Sequence, residues 1–300
     1  MLINGERKKT IDVTDRGFQY GDGLFETIEV CNGQAVFLDR HLDRLQAGCD
    51  RLHIPFPNRE VLCFEAATLI QQSSFQQSAS EYLNQAVLKI IVTRGSGGRG
   101  YSPPDLIQPT RVLSLHPFPD YPSAYQEQGI IARFCDTRLG LNRTLAGIKH
   151  LNRLEQIMAR SEWCDPAIEE GIMLDSNDHV IEGTRTNLFY VKNNSLYTAS
   201  LAKSGIEGIM RSIIISLASE HEWRVIEHTF SKDDLMSADE IFVSNSIIGI
   251  WPVRQIAGNY FPVGIKTRQI QAWLAQFKHR TLSASGHSSV PLIAGVPIGD

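Results

Sequence analysis

Ala146-Gly-Ile-Lys-His-Leu-Asn-Arg-Leu-Glu-Gln-Ile-Met-Ala-Arg-Ser-Glu162 is the stretch on which the reading of this chain turns, and Lys149 is its centre. Gly140 and Gly147 lie upstream, while Leu151, Leu154, Ile157 and Met158 recur at helical spacing and predict an amphipathic helix with a buried face. One amine is thereby expected at a loop-to-helix junction beside apolar side chains. Desolvation disfavours the ammonium form, and a neutral amine can form a Schiff base with an aldehyde cofactor. A solvated lysine near a helix start is the plain alternative, and the stretch alone leaves both readings open.

Working outward toward the N-terminus, His116-Pro-Phe-Pro-Asp-Tyr-Pro122 is stiff and extended and marks the best domain boundary. Before it, Val87 to Val92 reads as the core of a strand spanning Ala86 to Thr93, and Arg111 to Leu115 as another. Between them runs Arg94-Gly-Ser-Gly-Gly-Arg-Gly-Tyr101. Gly95, Gly97 and Gly100 match a dinucleotide-binding pattern, but Ser102-Pro103-Pro104 blocks the helix that must follow, so that reading is rejected. A mobile loop carrying Arg94 and Arg99 remains, suited to carboxylates or simply a surface loop. Earlier still, Leu2 to Glu6 reads as a strand with an Asn4-Gly5 turn. Leu24 to Val30 and Gln34 to Leu38 read as a hairpin across Asn32-Gly33, and Leu42, Leu45, Cys49 and Leu52 predict a helix stripe. Arg44 falls off that stripe and reads by itself as a solvated arginine. Residues 60–84 read as a helix fading into a Gln/Ser-rich surface segment, Gln71 to Ser80.

Toward the C-terminus, a strand around Gly129 to Phe134 precedes Lys149. After it, Gly171 to Asp175, His179 to Gly183, Asn187 to Lys192 and Ser195 to Thr198 form a meander that carries Glu182. Gly205-Ile-Glu-Gly208-Ile-Met-Arg211 introduces a helix from Ile209 to about Glu220, whose free N–H groups suit a phosphate. Glu240 to Ser246 and Ile250 to Val253 read as closing strands around the polar corner Ser244-Asn245-Ser246. A last helix, Ile265 to Lys278, turns Ile270, Trp273, Leu274 and Phe277 inward, and residues 281–300 read as a poorly ordered tail.

Composition bounds the rest. With 300 residues, 42% apolar and 21% charged, the chain has the makings of a soluble globular protein with room for two cores. A net charge of -4 and the lack of basic runs exclude a general attraction to nucleic acid. The N-terminus lacks the apolar core of a signal peptide and no apolar run is long enough to span a bilayer, so a cytoplasmic protein is expected. Five scattered cysteines without Cys-x-x-Cys spacing argue against disulfides and zinc, and nine histidines without His-Glu-x-x-His spacing leave a metal unsupported.

Taken together, Tyr20-Gly-Asp-Gly-Leu-Phe-Glu26, His41-Leu-Asp-Arg-Leu45, Ala146 to Asn152, Val180-Ile-Glu-Gly183 with Asn187-Leu-Phe189, and Gly208-Ile-Met-Arg211 occur in an order and spacing that resembles the class IV aminotransferase family. The resemblance covers roughly residues 1–280 and implies an α/β (α+β) fold of type IV, similar to D-amino-acid aminotransferases. It implies an N-terminal lobe over 1–117, a linker over 118–125 and a C-terminal lobe over 126–280, with pyridoxal 5'-phosphate between the lobes and homodimeric assembly. Lys149 would then carry the cofactor and move protons, and Glu182 would face the pyridine nitrogen. Arg44, the N–H groups of Ile209 and Met210, and Ser246 would hold the phosphate. Arg94-Gly-Ser-Gly-Gly-Arg-Gly-Tyr101 with Leu145 to Gln156 is similar to the lyase branch, which converts 4-amino-4-deoxychorismate to 4-aminobenzoate and pyruvate for folate synthesis. Arg99, Arg94, Phe25 and Asn245 would border that substrate. The alternative within the same fold is a branched-chain or D-amino-acid aminotransferase. Met210 stands where related aminotransferases commonly have threonine, and Phe25 where D-amino-acid aminotransferases have tyrosine; both point away from D-amino-acid transfer.

Overall fold

Asn4-Gly5 and Asn32-Gly33 adopt positive φ, 51° and 87° in the first pair and 50° and 75° in the second, and each turns the chain back on itself. A computed structural model describes residues 1–74 and 85–285. Its first elements are β1 (Leu2–Ile3), α1 (Arg16–Tyr20), β2 (Gly23–Cys31), β3 (Gln34–Ala35), α2 (Leu38–Leu52), α3 (Arg59–Ser74), β4 (Gln85–Thr93) and β5 (Thr110–Pro117). The strands form an antiparallel sheet in the order β1-β5-β4-β2-β3. Side chains alternate across β2. Leu24 and Ile28 join Leu42, Leu45 and Cys49 of α2 in one core, while Phe25 and Thr27 face the opposite way.

The second half continues with α4 (Ala124–Glu127), β6 (Ile130–Leu139), α5 (Leu154–Arg160), β7 (Glu170–Asp175), β8 (Val180–Gly183), β9 (Asn187–Lys192) and β10 (Ser195–Ala199). After these come α6 (Ile209–Glu220), β11 (Val225–His228), α7 (Lys232–Met236), β12 (Glu240–Asn245), β13 (Gly249–Ile256), β14 (Asn259–Tyr260) and α8 (Ile265–Ser285). The larger sheet runs β11-β10-β9-β12-β13-β6-β7-β8, and a further β8–β9 pairing closes β6, β7, β8, β9, β12 and β13 into a barrel. Inside it lie Ile130, Ile172, Leu188, Tyr190, Ile241 and Trp251; outside, α6 and α8 pack Ile213, Leu217, Ile270 and Leu274 onto Phe189 and Phe242. Phe37 of the first half stacks on Phe277 of α8 with ring centroids 5.5 Å apart, and Lys278 Nζ pairs with Glu29 at 2.5 Å.

The expected meander is present as β7 to β10, and α6 starts at Ile209 as its glycine approach predicts. Three expectations need correction. Residues 149–151 are not a helix start, because the Lys149 carbonyl accepts the Phe25 N–H at 3.1 Å and the Leu151 N–H donates to Gly23 at 2.9 Å. This pairing delays the helix until Leu154, and Leu154, Ile157 and Met158 then face outward, 72%, 59% and 62% exposed. The strand expected to reach Leu38 stops at Ala35, since α2 begins at Leu38 to bury its stripe. The last helix runs past Lys278 to Ser285 because Leu282 extends its apolar side. Of the expected tail, 281–285 are therefore helical, and 286–300, like the 75–84 part of the Gln/Ser-rich segment, lie outside the described residues.

Candidate active site

A cavity of about 430 Å³ opens where the Phe25 face of the first sheet meets the barrel, and Lys149 lies on its wall. The Lys149 amine sits 4.3 Å from the centroid of the Phe25 ring and forms no hydrogen bond or ion pair with another described residue. Burial first, and the neighbouring Arg44 guanidinium second, push its pKa down to about 8. Glu182 also lines the cavity and is 3% exposed. Its Oε2 accepts the Ile206 N–H at 2.9 Å and the Asn187 amide at 3.4 Å, yet burial outweighs these bonds and raises its pKa to about 7. A cation placed against this acid would restore its charge.

Arg44 is no solvated arginine. Glu26 lies on the helix-facing side of β2 and accepts Arg44 Nε at 2.8 Å on one oxygen and His41 Nδ1 at 2.6 Å on the other. Burial opposes the charge of Glu26, but the Arg44 guanidinium and the His41 bond overcome it and hold the pKa at about 2. The carboxylate is ionised, so His41 Nδ1 carries the proton; burial lowers the His41 pKa, and its Nε2 has no partner among the described residues. Arg44 Nη1 donates to the Glu207 carbonyl at 2.8 Å, one residue before Gly208, the N-cap of α6. Side-chain caps and first-turn acids are both missing there, so the N–H groups of Ile209 and Met210 meet the cavity unopposed. A Cβ on Gly208 would lie 2.0 Å from Asn187 Oδ1, so glycine permits the helix start to approach β9.

Phe25, Arg44, Lys149, Glu182, Ile209, Met210, Asn245 and Ser246 are thus brought to one cavity. The amide of Asn245 is already committed: Oδ1 accepts the N–H groups of Ile247 and Ile248 at 2.8 and 2.9 Å, and Nδ2 donates to Arg185. Arg94 and Arg99 are not brought in. Arg94 is buried elsewhere, with Nε and Nη2 on Asp22 and further bonds to the Leu52 and His53 carbonyls, while Arg99 lies exposed on the glycine loop. The expectation that Arg94 holds a substrate carboxylate is corrected on that ground: its fork serves to brace the Asp22 turn. No helix follows the loop, in line with rejection of a nucleotide site.

Sequence reasoning missed the Glu26–His41–Arg44 cluster, although a carboxylate alternating with Leu24 and Ile28 on a core face signals a buried pair. It also missed Arg153 and the Thr184-Arg185-Thr186 turn. Arg153 Nη2 lies 2.6 Å from His150 Nε2; burial first, and then this guanidinium, push the His150 pKa down to about 4. Glu170, 1% exposed, anchors the turn through Thr184 Oγ1 at 2.6 Å and Thr186 Oγ1 at 2.8 Å.

Comparison with known proteins places this geometry in context. The chain is 36% identical to an aminodeoxychorismate lyase of Vibrio harveyi, over 90% of its own length and 97% of the relative. Its fold is similar to the crystal structure of 4-amino-4-deoxychorismate lyase from Pseudomonas aeruginosa, with a TM-score of 0.86, 40% identity, and coverage of 92% and 98% of the two chains. A branched-chain amino acid aminotransferase from Escherichia coli follows, with a TM-score of 0.79, 27% identity and coverage of 92% and 93%. The amino-transferase class IV family matches residues 23–256, from the first residue of β2 to the last of β13 and so across the cavity-forming strands, and the chain belongs to that family.

Proposed function

We propose that this protein is a pyridoxal-phosphate-dependent lyase that converts 4-amino-4-deoxychorismate to 4-aminobenzoate and pyruvate. The observation that carries the reading is the meeting, in one cavity, of an unpaired lysine amine of lowered pKa, a buried acid and an open helix start. The residues fit the cofactor. An anion has the N–H groups of Ile209 and Met210 beside Arg44, and Ser244 Oγ, buried in the cavity wall, has no partner among the described residues. Lys149 would hold the aldehyde carbon, Glu182 the pyridine nitrogen, and Arg44, Ile209, Met210 and Ser246 the phosphate. When bound, the cofactor supplies an electron-accepting ring.

The chain's own residues then do the following. With a pKa near 8, the Lys149 amine is neutral in a useful fraction at neutral pH and serves as base and later as acid at Nζ. It removes the proton from the substrate ring carbon that bears the amine. The ring C–O bond breaks, the enolpyruvyl group leaves and becomes pyruvate on protonation, and the remaining ring is aromatic. Glu182 would be held anionic by a cation at the ring nitrogen, and the Glu26–Arg44 pair would fix Arg44 for the phosphate. The proposal extends to a homodimer in the cytoplasm, with lobes over 1–117 and 126–280 joined by 118–125; among the described residues no helix is long and apolar enough to cross a membrane.

The test is purified protein with cofactor and 4-amino-4-deoxychorismate, scoring both products, with Lys149→Ala alongside. Equal formation of 4-aminobenzoate and pyruvate by the wild type, and neither by the variant, is expected. Amino transfer to an oxo acid without pyruvate release overturns the lyase in favour of an aminotransferase.

A further inference from the structure

The cavity has a cation at its mouth that none of the roles above uses. Arg185 lines the cavity from the turn between β8 and β9, and its side chain is 45% exposed. Two rings hold the guanidinium: its Cζ lies 5.5 Å from the Tyr121 centroid and 5.8 Å from that of Trp251. Those rings pack edge to face 4.9 Å apart, and Arg185 Nη1 donates to the Tyr121 hydroxyl at 2.9 Å. The backbone is tied as well, since the Asn245 amide donates to the Arg185 carbonyl at 3.2 Å. The nearest acid, Glu170, makes only a long ion pair with the fork. Glu170 Oε2 lies 3.9 Å from Nε, outside hydrogen-bond reach, and its carboxylate already accepts from Gly171, Thr184 and Thr186. Nη2 makes one long bond, 3.4 Å, to the Glu169 carbonyl. The guanidinium is therefore oriented, with its one acid at ion-pair rather than hydrogen-bond distance, and its half-exposed side chain remains open to a second anion.

The other cations of the cavity are differently placed. Arg44 lies against Glu26 and the start of α6, Arg153 against His150, and the Lys149 amine over Phe25. The substrate of the proposed reaction carries one carboxylate on the ring carbon para to its amine and another on the enolpyruvyl group. With the amine directed to Lys149, the para carboxylate is the group at the far end of the ring, toward solvent. We infer that Arg185 is the anchor for that ring carboxylate, a role that rests on the lyase reading above. The same carboxylate survives in 4-aminobenzoate, whereas pyruvate takes away the other. Arg185 therefore governs the binding of substrate and of aromatic product, and not that of pyruvate.

The experiment compares wild-type, Arg185→Gln and Arg185→Lys holoenzymes. In Arg185→Gln, KM for 4-amino-4-deoxychorismate rises about 10- to 100-fold and kcat falls less than about threefold, the split expected for a lost charge-assisted bond. Inhibition by 4-aminobenzoate weakens in step, inhibition by pyruvate is unchanged, and Arg185→Lys recovers part of the loss. An unchanged KM, or a loss confined to kcat together with reduced cofactor content, overturns the anchor; weakened inhibition by pyruvate alone overturns the choice of carboxylate. Equilibrium dialysis of 4-aminobenzoate against the same holoproteins needs no turnover. Binding by the wild type and its loss in Arg185→Gln supports the anchor even if the wild type forms no pyruvate, which would overturn only the reaction; equal binding, or none, overturns the anchor.

Discussion

Glu26 is a buried carboxylate whose oxygens meet a guanidinium and an imidazole, and that pairing sets how the site responds to acid. Its pKa is lowered from 4.5 to about 2 in the folded chain, so its stabilising contribution is present above pH 4.5 and is lost as the pH falls toward 2. Replacing it leaves the half-buried Arg44 without its counter-charge. Glu26→Gln is expected to lower stability at pH 7 by about 3–5 kcal/mol and to flatten the loss below pH 4.5, read from urea denaturation at several pH values. A wild-type-like urea midpoint at pH 7 would sink this account. Individual residues were unevenly legible. Lys149 and Glu182 stand in patterns that mark them, but the sequence hides what surrounds them: the Phe25 ring beneath the amine and the Ile206 N–H on the acid come from distant segments. Arg94 and Arg185 show the same limit in reverse. Both are arginines outside the strands, and only the fold reveals that Asp22 occupies the fork of one while the other lies against aromatic rings with its acid 3.9 Å away.

Among the elements, α6 carries the most functional weight because its first turn opens on the cavity. Gly208 has φ -69°, which any residue adopts, so the need for glycine there is steric: an added Cβ meets Asn187 Oδ1 at 2.0 Å. Asn187 has little room to yield, being 7% exposed and bonded through Nδ2 to the Ile206 carbonyl at 2.9 Å. Gly208→Ala is expected to cost about 1–3 kcal/mol and to weaken cofactor retention about tenfold, read by dialysis followed by absorbance. Unchanged retention would show that the helix start does not hold the phosphate. Elements with strong periodicity and clear turn residues, such as α2, α6 and the β7 to β10 meander, were legible from sequence. Short pieces were not. α1 depends on an Asp15 cap and a left-handed Gly21, and β11 exists because β10 offers an edge for parallel pairing, a long-range fact. The helix after Lys149 was displaced for a similar reason, since pairing with β2 overrode local helical preference.

At the scale of the whole molecule, the misread helix becomes informative. Leu154, Ile157 and Met158 present adjoining apolar side chains on one exposed turn, the kind of patch that a second copy of the chain covers. In the homodimer proposed above, Ile157→Glu is expected to shift the protein toward monomer in sedimentation velocity; a monomeric wild type would refute the assignment. Individual strands were legible from the pattern, but their assembly into two sheets and the closure of the larger one were not, because closure depends on the β9–β12 and β13–β6 pairings between strands far apart in the chain. The last step of the ring is local, across the tight turn from β8 to β9, where Glu182 opposes Asn187 and the Gly183 N–H donates to the Thr186 carbonyl at 2.7 Å. The clasp of this hoop is also the wall of the cavity, since Glu182 and Asn187 both line it. Whatever occupies the site and engages these two residues acts as a rivet for the whole ring, so scaffold integrity and readiness for chemistry rise and fall together.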